Sequence, residues 1–163
     1  HCFTPTPVSW KPMATWAEVE TQAPDVAAAI LARFMGHPHH VLGTLNRDGA
    51  PRLSGINVMH NEEILWFGCM PSSRKGIDIE RDHRISLHSA PLLESLEGGD
   101  AVISGVARSL APERVLAWRP ETPENGVFYE VDISSMHLVE VRGEDLIVTM
   151  WDTEHGVRSV NRQ

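Results

Sequence analysis

The sequence predicts a mainly β protein, a closed or half-closed barrel of six or so antiparallel strands with a few short helices. Three observations point there. Between residues 43 and 69 three short apolar runs are separated by two polar turns, the pattern of an antiparallel meander. Further strand-like runs follow at 84–89, 100–110, 127–141 and 146–152. Helical periodicity is strong at one place, residues 25–35, and no internal repeat or low-complexity tract interrupts the chain.

In order along the chain, residues 1–12 carry three prolines and no periodicity, so they read as an extended arm or a remnant of expression, with Met13 a natural start. Residues 13–163 form the domain. A short helix is expected at 17–22, stopped before Pro24. In 25–35, Val26, Ile30 and Phe34 recur at i, i+4 and i+8 with Leu31 beside them; Gly36 ends the helix and Pro38 blocks its continuation. His37, His39 and His40 straddle that proline. They read as a helix end followed by a strand start, or as metal ligands lacking a nearby carboxylate or cysteine to complete a set.

Residues 41–45 and 50–59 are expected to pair as a hairpin through Asn46-Arg47-Asp48-Gly49, where glycine supplies a positive φ. On the returning strand Ser54, Ile56 and Val58 share one face, while Leu53, Gly55 and Asn57 share the other. A second turn at 60–63 leads to a strand at 64–69, then a short helix at 75–82 with Ile77 and Ile79, and a strand at 84–89. Residues 91–99 read as a loop and 100–110 as a strand in which Gly105 marks a bulge or a close backbone approach. Pro112 and Glu113 open a helix reaching Trp118, a proline-containing loop spans 120–126, and 127–141 is one long strand or two broken ones. Gly143-Glu144-Asp145 then turns into a last strand at 146–152.

Composition narrows the partners. The chain has 163 residues, 42% hydrophobic and 22% charged, the composition of one globular domain. Its 14 Lys and Arg against 22 Asp and Glu give a net charge of −8, which argues against a broad nucleic-acid surface but leaves room for a local anion pocket. No apolar run approaches the ~20 residues that span a bilayer, and no signal-peptide pattern is visible, so a cytoplasmic protein without a membrane partner is expected. Cys2 and Cys69 have no zinc spacing and are too few for a disulfide scaffold; Cys69 reads as a reduced core thiol. There is no G-x-S-x-G elbow and no G-x-G-x-x-G after a strand, so neither a serine hydrolase nor a Rossmann site is indicated. His88 and His137 fall in strands, where they face a pocket or simply pack.

The compact chemistry lies at Ser72-Ser73-Arg74-Lys75-Gly76. Two hydroxyls, a guanidinium and an ammonium at a helix start can hold a phosphate, each charge-assisted bond being worth roughly 1.5–3 kcal/mol. A serine cap followed by solvated basic residues has the same spelling.

The surroundings carry more information. TLNRDGAPRLSG, LWFGCMPSSRKG and RDHRISL, followed more weakly by ISGVARSL, stand in an order and spacing that resembles the flavin-binding split-barrel family of pyridoxamine 5′-phosphate oxidase. The resemblance covers most of residues 37–162 and implies a six-stranded antiparallel split β-barrel of Greek-key type. It also implies a homodimer with two shared FMN sites at the subunit interface. Phosphate binding would fall on Ser73, Arg74 and Lys75. The strand passing the ring with its backbone would be Ser54, Gly55, Ile56 and Asn57, and the strand before the phosphate loop Gly68 and Cys69. Asp100 would supply a contact across the interface, and Trp151 and Arg162 the C-terminal flavin contacts. Gly55 has the plainer reading of a sheet twist or bulge, and Trp151 that of a core aromatic.

The departures bear on the substrate. The family's flavin-contacting lysine becomes Met59, its Arg-x-His becomes Arg158-Ser159-Val160, and 113–123 lacks a second phosphate set. These argue against pyridoxamine phosphate as the substrate. The expectation is a flavin-dependent oxidoreductase that moves a hydride to or from a small organic molecule, with the cofactor performing the electron chemistry. A deazaflavin coenzyme is the alternative cofactor, its acidic tail meeting Arg47 or Arg52 unless these are solvated hairpin charges. The alternative class is a flavin- or haem-binding carrier or sensor without turnover.

Overall fold

The structure is a computed structural model that describes residues 11–90 and 99–162. Residues 1–10 of the expected arm and most of the expected loop at 91–99 lie outside the described residues.

The chain opens with α1 (Trp16–Gln22) and α2 (Pro24–Met35). Thr15 caps α1 in a reciprocal box with Glu18, its hydroxyl accepting from Glu18 N while Glu18 Oε2 accepts from Thr15 N at 2.7 Å. Pro24 does more than stop α1: it starts α2, because a proline at the first helical position has no N–H to lose. Val26, Ala27, Ile30 and Phe34 bury one stripe of α2.

Among the described residues nine strands follow rather than six. They are β1 (His40–Leu45), β2 (Pro51–Ile56), β3 (Val58–Asn61), β4 (Ile64–Cys69), β5 (Arg84–His88), β6 (Asp100–Leu110), β7 (Val127–Arg142), β8 (Asp145–Asp152) and β9 (Gly156–Arg162). Between them lie α3 (Arg74–Arg81) and α4 (Pro112–Trp118). All pairings are antiparallel, in the order β2-β1-β5-β6-β7-β4-β3, with the β8–β9 hairpin added along β7. The two ends of that order, β2 and β3, are consecutive in the chain and meet at Asn57.

Three expectations are corrected. Residues 50–59 form two strands because the chain changes partner at Asn57: Ile56 is the last residue paired to β1 and Val58 the first paired to β4. The buried side runs on through Ile56 and Val58, so the alternation of faces survives the break. The second turn is tighter than 60–63, with only Glu62 and Glu63 outside the strands and both at positive φ, 47° and 63°. Residues 146–152 are not the last strand, since Gly156, at φ 65°, turns the chain into β9.

The long run at 127–141 is one strand, β7, and it divides the sheet. One edge pairs with β6 between residues 128 and 139, while the other pairs first with β4 through residues 127–130 and then with β8 through residues 135–142. The ladder to β6 slips by one residue between Ser104 and Gly105. A Cβ at Gly105 would stand 1.9 Å from the Asp132 carbonyl oxygen, so only glycine permits the approach.

The main core lies inside the curved sheet and beneath α1 and α2, with Trp16, Phe34, Phe67, Ile103 and Trp151 among its buried side chains. Each such side chain contributes roughly 1.5–3 kcal/mol by leaving water. A second cluster of Trp66, Leu110, Val115 and Phe128 seats α4 against the opposite side of β4. Among the described residues no helix is long and apolar enough to cross a membrane.

Candidate functional site

Strand β4 ends at Cys69, and the next four residues aim α3. Ser73 N bonds back to Met70 O, Ser72 takes φ 59°, and Ser73 becomes the helix cap with its Oγ accepting from Gly76 N at 3.2 Å. Arg74 and Lys75 are therefore the first two helical residues, beside backbone N–H groups that have no partner within the helix. The first turn holds no acid, and among the described residues no carboxylate pairs with either cation. Lys75 Nζ donates to Gly55 O at 2.7 Å, tying the start of α3 to the end of β2. A Cβ on Gly76 would sit 3.1 Å from Ser73 Oγ and 3.3 Å from Cys69 Sγ, so the cap, helix and strand end are closely fitted.

Beside this helix start lies a cleft of about 850 Å³. One wall is the end of β2 with Gly55, Ile56 and Asn57; another is Trp66, Gly68 and Cys69 of β4. The loop from Arg119 to Gly126, between α4 and β7, forms the remaining side with Phe128 behind it. Phe128 is held by the lack of side chains around it: a Cβ on Gly68 would meet its ring at 2.9 Å, and one on Gly126 at 2.5 Å. A Cβ on Gly55, by contrast, would meet nothing within 4 Å, so that stretch of backbone is open.

Seven of the twelve residues expected from the sequence line this one cleft: Gly55, Ile56, Asn57, Gly68, Cys69, Ser73 and Lys75. Arg74 stands next to it on the first turn of α3, and Ser54 lies outside it, half-buried on the Ile56 side of β2 and paired with Leu42. Asp100, Trp151 and Arg162 are elsewhere. Trp151 is 1% exposed within the main core, the plainer of its two readings. Asp100 and Arg162 share a different surface, the face of the β6–β9 sheet on which Asp100, Val139, Val148 and Val160 lie in register.

The sequence did not single out the Arg119–Gly126 wall, and its proline-rich spelling marks a loop without saying what it faces. His39 was missed as a cleft residue too; its Nδ1 lies 2.8 Å from Asn57 Oδ1. Its neighbour His40 is a core histidine. His40 Nε2 donates to Phe34 O at 2.8 Å and its Nδ1 accepts from Ala90 N at 3.1 Å, while burial lowers its pKa and keeps it neutral. Arg52, one of the two arginines considered for a longer acidic tail, is committed instead to Asp78 at 2.6 Å. Arg47 sits exposed at the β1–β2 turn. Tyr129, on β7 opposite Phe67, is pushed up to about 12 by burial, with the charges of Cys69 and Glu80 adding to it.

The donor set suits FMN. Its phosphate needs cations and free backbone donors, which the Ser73-Arg74-Lys75 helix start supplies; its flat ring needs an apolar wall beside an accessible backbone, which Phe128, Ile56 and the open Gly55 supply.

No family model matches the sequence, and no curated protein does. Solved structures do match. PhzG from Burkholderia lata, in complex with tetrahydrophenazine-1-carboxylic acid, is 15% identical, with 90% of this chain and 92% of that chain covered at a TM-score of 0.62. A pyridoxamine 5′-phosphate oxidase-related, FMN-binding protein from Nostoc punctiforme is 14% identical over 86% of this chain and 96% of that one, also at 0.62. A haem-binding protein from Mycobacterium smegmatis is 14% identical over 82% and 87%, at 0.50. The chain thus has the fold of the pyridoxamine 5′-phosphate oxidase-like split barrels.

Proposed function

We propose that this chain is a divergent member of the pyridoxamine 5′-phosphate oxidase-like family, an FMN-binding oxidoreductase acting on a small organic molecule as a homodimer. The observation that carries the reading is the helix start with Ser73, Arg74 and Lys75 opening on to an apolar cleft whose floor is cleared by glycines. Bound FMN would supply two-electron hydride chemistry. The chain's residues would do the rest. Arg74 and Lys75 would neutralise the phosphate, Ser73 would hold the helix cap in place, and Phe128 and Ile56 would keep water from one side of the ring.

At about 850 Å³ the cleft is near the upper end of small-molecule sites, roughly 300–1,000 Å³, which leaves room for a reactant beside a cofactor and favours an enzyme over a closed carrier. Of the two arginines that a deazaflavin's acidic tail would meet, Arg52 is occupied by Asp78, which leaves Arg47 alone for that tail and favours FMN.

The homodimer reading draws on the outer face of the β6–β9 sheet. There Val139, Val148 and Val160 form an apolar row beside Asp100, with Arg162 on the same face, and the next row alternates Val102 and Met150 with His137 and Arg158. A second copy packed on it would bring Asp100 and Arg162 to the subunit boundary, whereas Trp151 faces the core.

An absorption spectrum and a titration of the purified protein with FMN and with a deazaflavin test the cofactor. Saturable FMN binding at micromolar concentration, with bands that bleach in dithionite, is expected; no binding of either would refute the flavin reading. Sedimentation should give twice the chain mass, and a strict monomer would remove the shared site.

A further inference from the structure

We propose that His39 is the proton-exchanging residue of the cleft, taking up a proton when a flavin held there gains two electrons and releasing it on reoxidation. The inference rests on the flavin reading above.

His39 shares the cleft with Gly55 and Lys75, and it is held from two sides. Its Nδ1 lies 2.8 Å from Asn57 Oδ1, an acceptor, so the neutral ring carries its hydrogen on Nδ1 and leaves Nε2 with a free lone pair. Its backbone N–H donates to His37 Nδ1 at 3.1 Å, and the next residue is anchored in the core by both ring nitrogens of His40. Protonation of Nε2 leaves the Asn57 bond intact, since the imidazolium still donates from Nδ1.

The other charged groups on the cleft are Lys75, Arg119 and Glu121, and His37 lies beside His39 with ring centroids 5.8 Å apart. Lys75 Nζ is already donating to Gly55 O, and Arg119 Nε is paired with Glu121 at 3.2 Å. Lysine and arginine do not exchange protons near neutral pH, whereas histidine changes charge between about pH 5 and 8. Cys69 also lines the cleft but is 8% exposed and packs in the main core, so His39 is the group whose chemistry suits the task.

The balance is simple. Two electrons and one proton delivered together as hydride from a dihydronicotinamide would leave one net negative charge in the cleft. A second proton, drawn from water on to Nε2 of the exposed His39, offsets it. In turnover a carbonyl or imine would receive hydride at carbon and the Nε2 proton on its oxygen or nitrogen, and water would reprotonate the ring. That chemistry marks the class of substrate expected.

The midpoint potential of the FMN-saturated protein, measured by dithionite titration across about pH 7 to 8.5, tests this in the wild type and in His39→Gln. Each proton taken up per two electrons shifts a two-electron couple by about 30 mV per pH unit. The wild type should show a steeper slope than the variant's roughly 30 mV per unit, toward the roughly 59 that a second proton gives; equal slopes would overturn the proposal. A cofactor-free readout is the 15N shift of the His39 ring, expected in the Nδ1–H tautomer and released from it by Asn57→Ala. An Nε2–H tautomer in the wild type would count equally against the proposal. Failure of the wild type to take FMN is seen before any potential is measured; it would sink the flavin reading and this inference with it.

Discussion

The two ends of α3 carry the same kinds of side chain in opposite settings. At its start, Arg74 and Lys75 stand at the rim of a cleft, with no carboxylate paired to either among the described residues. One turn on, Asp78 is 3% exposed and gathers Arg52 Nε at 2.6 Å, Thr44 Oγ1 at 2.9 Å and Arg81 at 3.3 Å. The first pair of cations is available to an incoming anion; the second pair already has one built in. What separates a binding cation from a structural one is a buried acid within reach, and residue spacing does not reveal that.

The largest effect should come from the closed end. Asp78→Ala leaves two guanidinium groups facing a cavity without their acceptor. It should lower the unfolding free energy by about 3 kcal/mol in urea titrations, the lower end for a broken buried pair because both arginines reach solvent. The open end should behave in the reverse way. Arg74→Ala with Lys75→Ala should cost roughly 3 kcal/mol of FMN affinity, about a hundredfold, while leaving the urea midpoint nearly unchanged. Ser73→Ala lies between them: losing the cap should cost about 1 kcal/mol of stability, together with a smaller loss of affinity.

Acid should distinguish the ends as well. Burial by itself would raise the Asp78 carboxyl, but the hydrogen bonds from Arg52, Thr44 and Arg81 outweigh it and hold the group below the ordinary range. A depressed folded-state value means the stabilisation is present above the unfolded value, near pH 4, and is lost as pH falls below it. Stability of the wild type should therefore fall more steeply below about pH 4 than that of Asp78→Asn. Parallel curves would show that the cluster contributes little.

The same contrast explains what could be read in the sequence. Both ends of β6, the proline start of α4 and the turn at Gly49, which has φ 86°, were legible because each has a local cause in the residues themselves. Seven residues that the family resemblance pointed to line the cleft because they fall on the neighbouring segments 55–57, 68–69 and 73–75. Strand β9 was not legible: GVRSVNR has two apolar residues, and all but Gly156 are exposed, so its strand character comes from pairing with β8. The break at Asn57 and the role of Arg52 depend on partners distant in sequence, β4 and Asp78, and the loop wall at 119–126 is defined only by what it packs across from.

If the open end of α3 holds a phosphate, FMN and riboflavin should bind with very different affinity. Fluorescence titrations of the wild type should show FMN preferred by about a hundredfold, since two charge-assisted bonds go to the phosphate alone, and Arg74→Ala with Lys75→Ala should erase the preference. Equal affinity of the wild type for both ligands, or a preference that survives the double substitution, would contradict it.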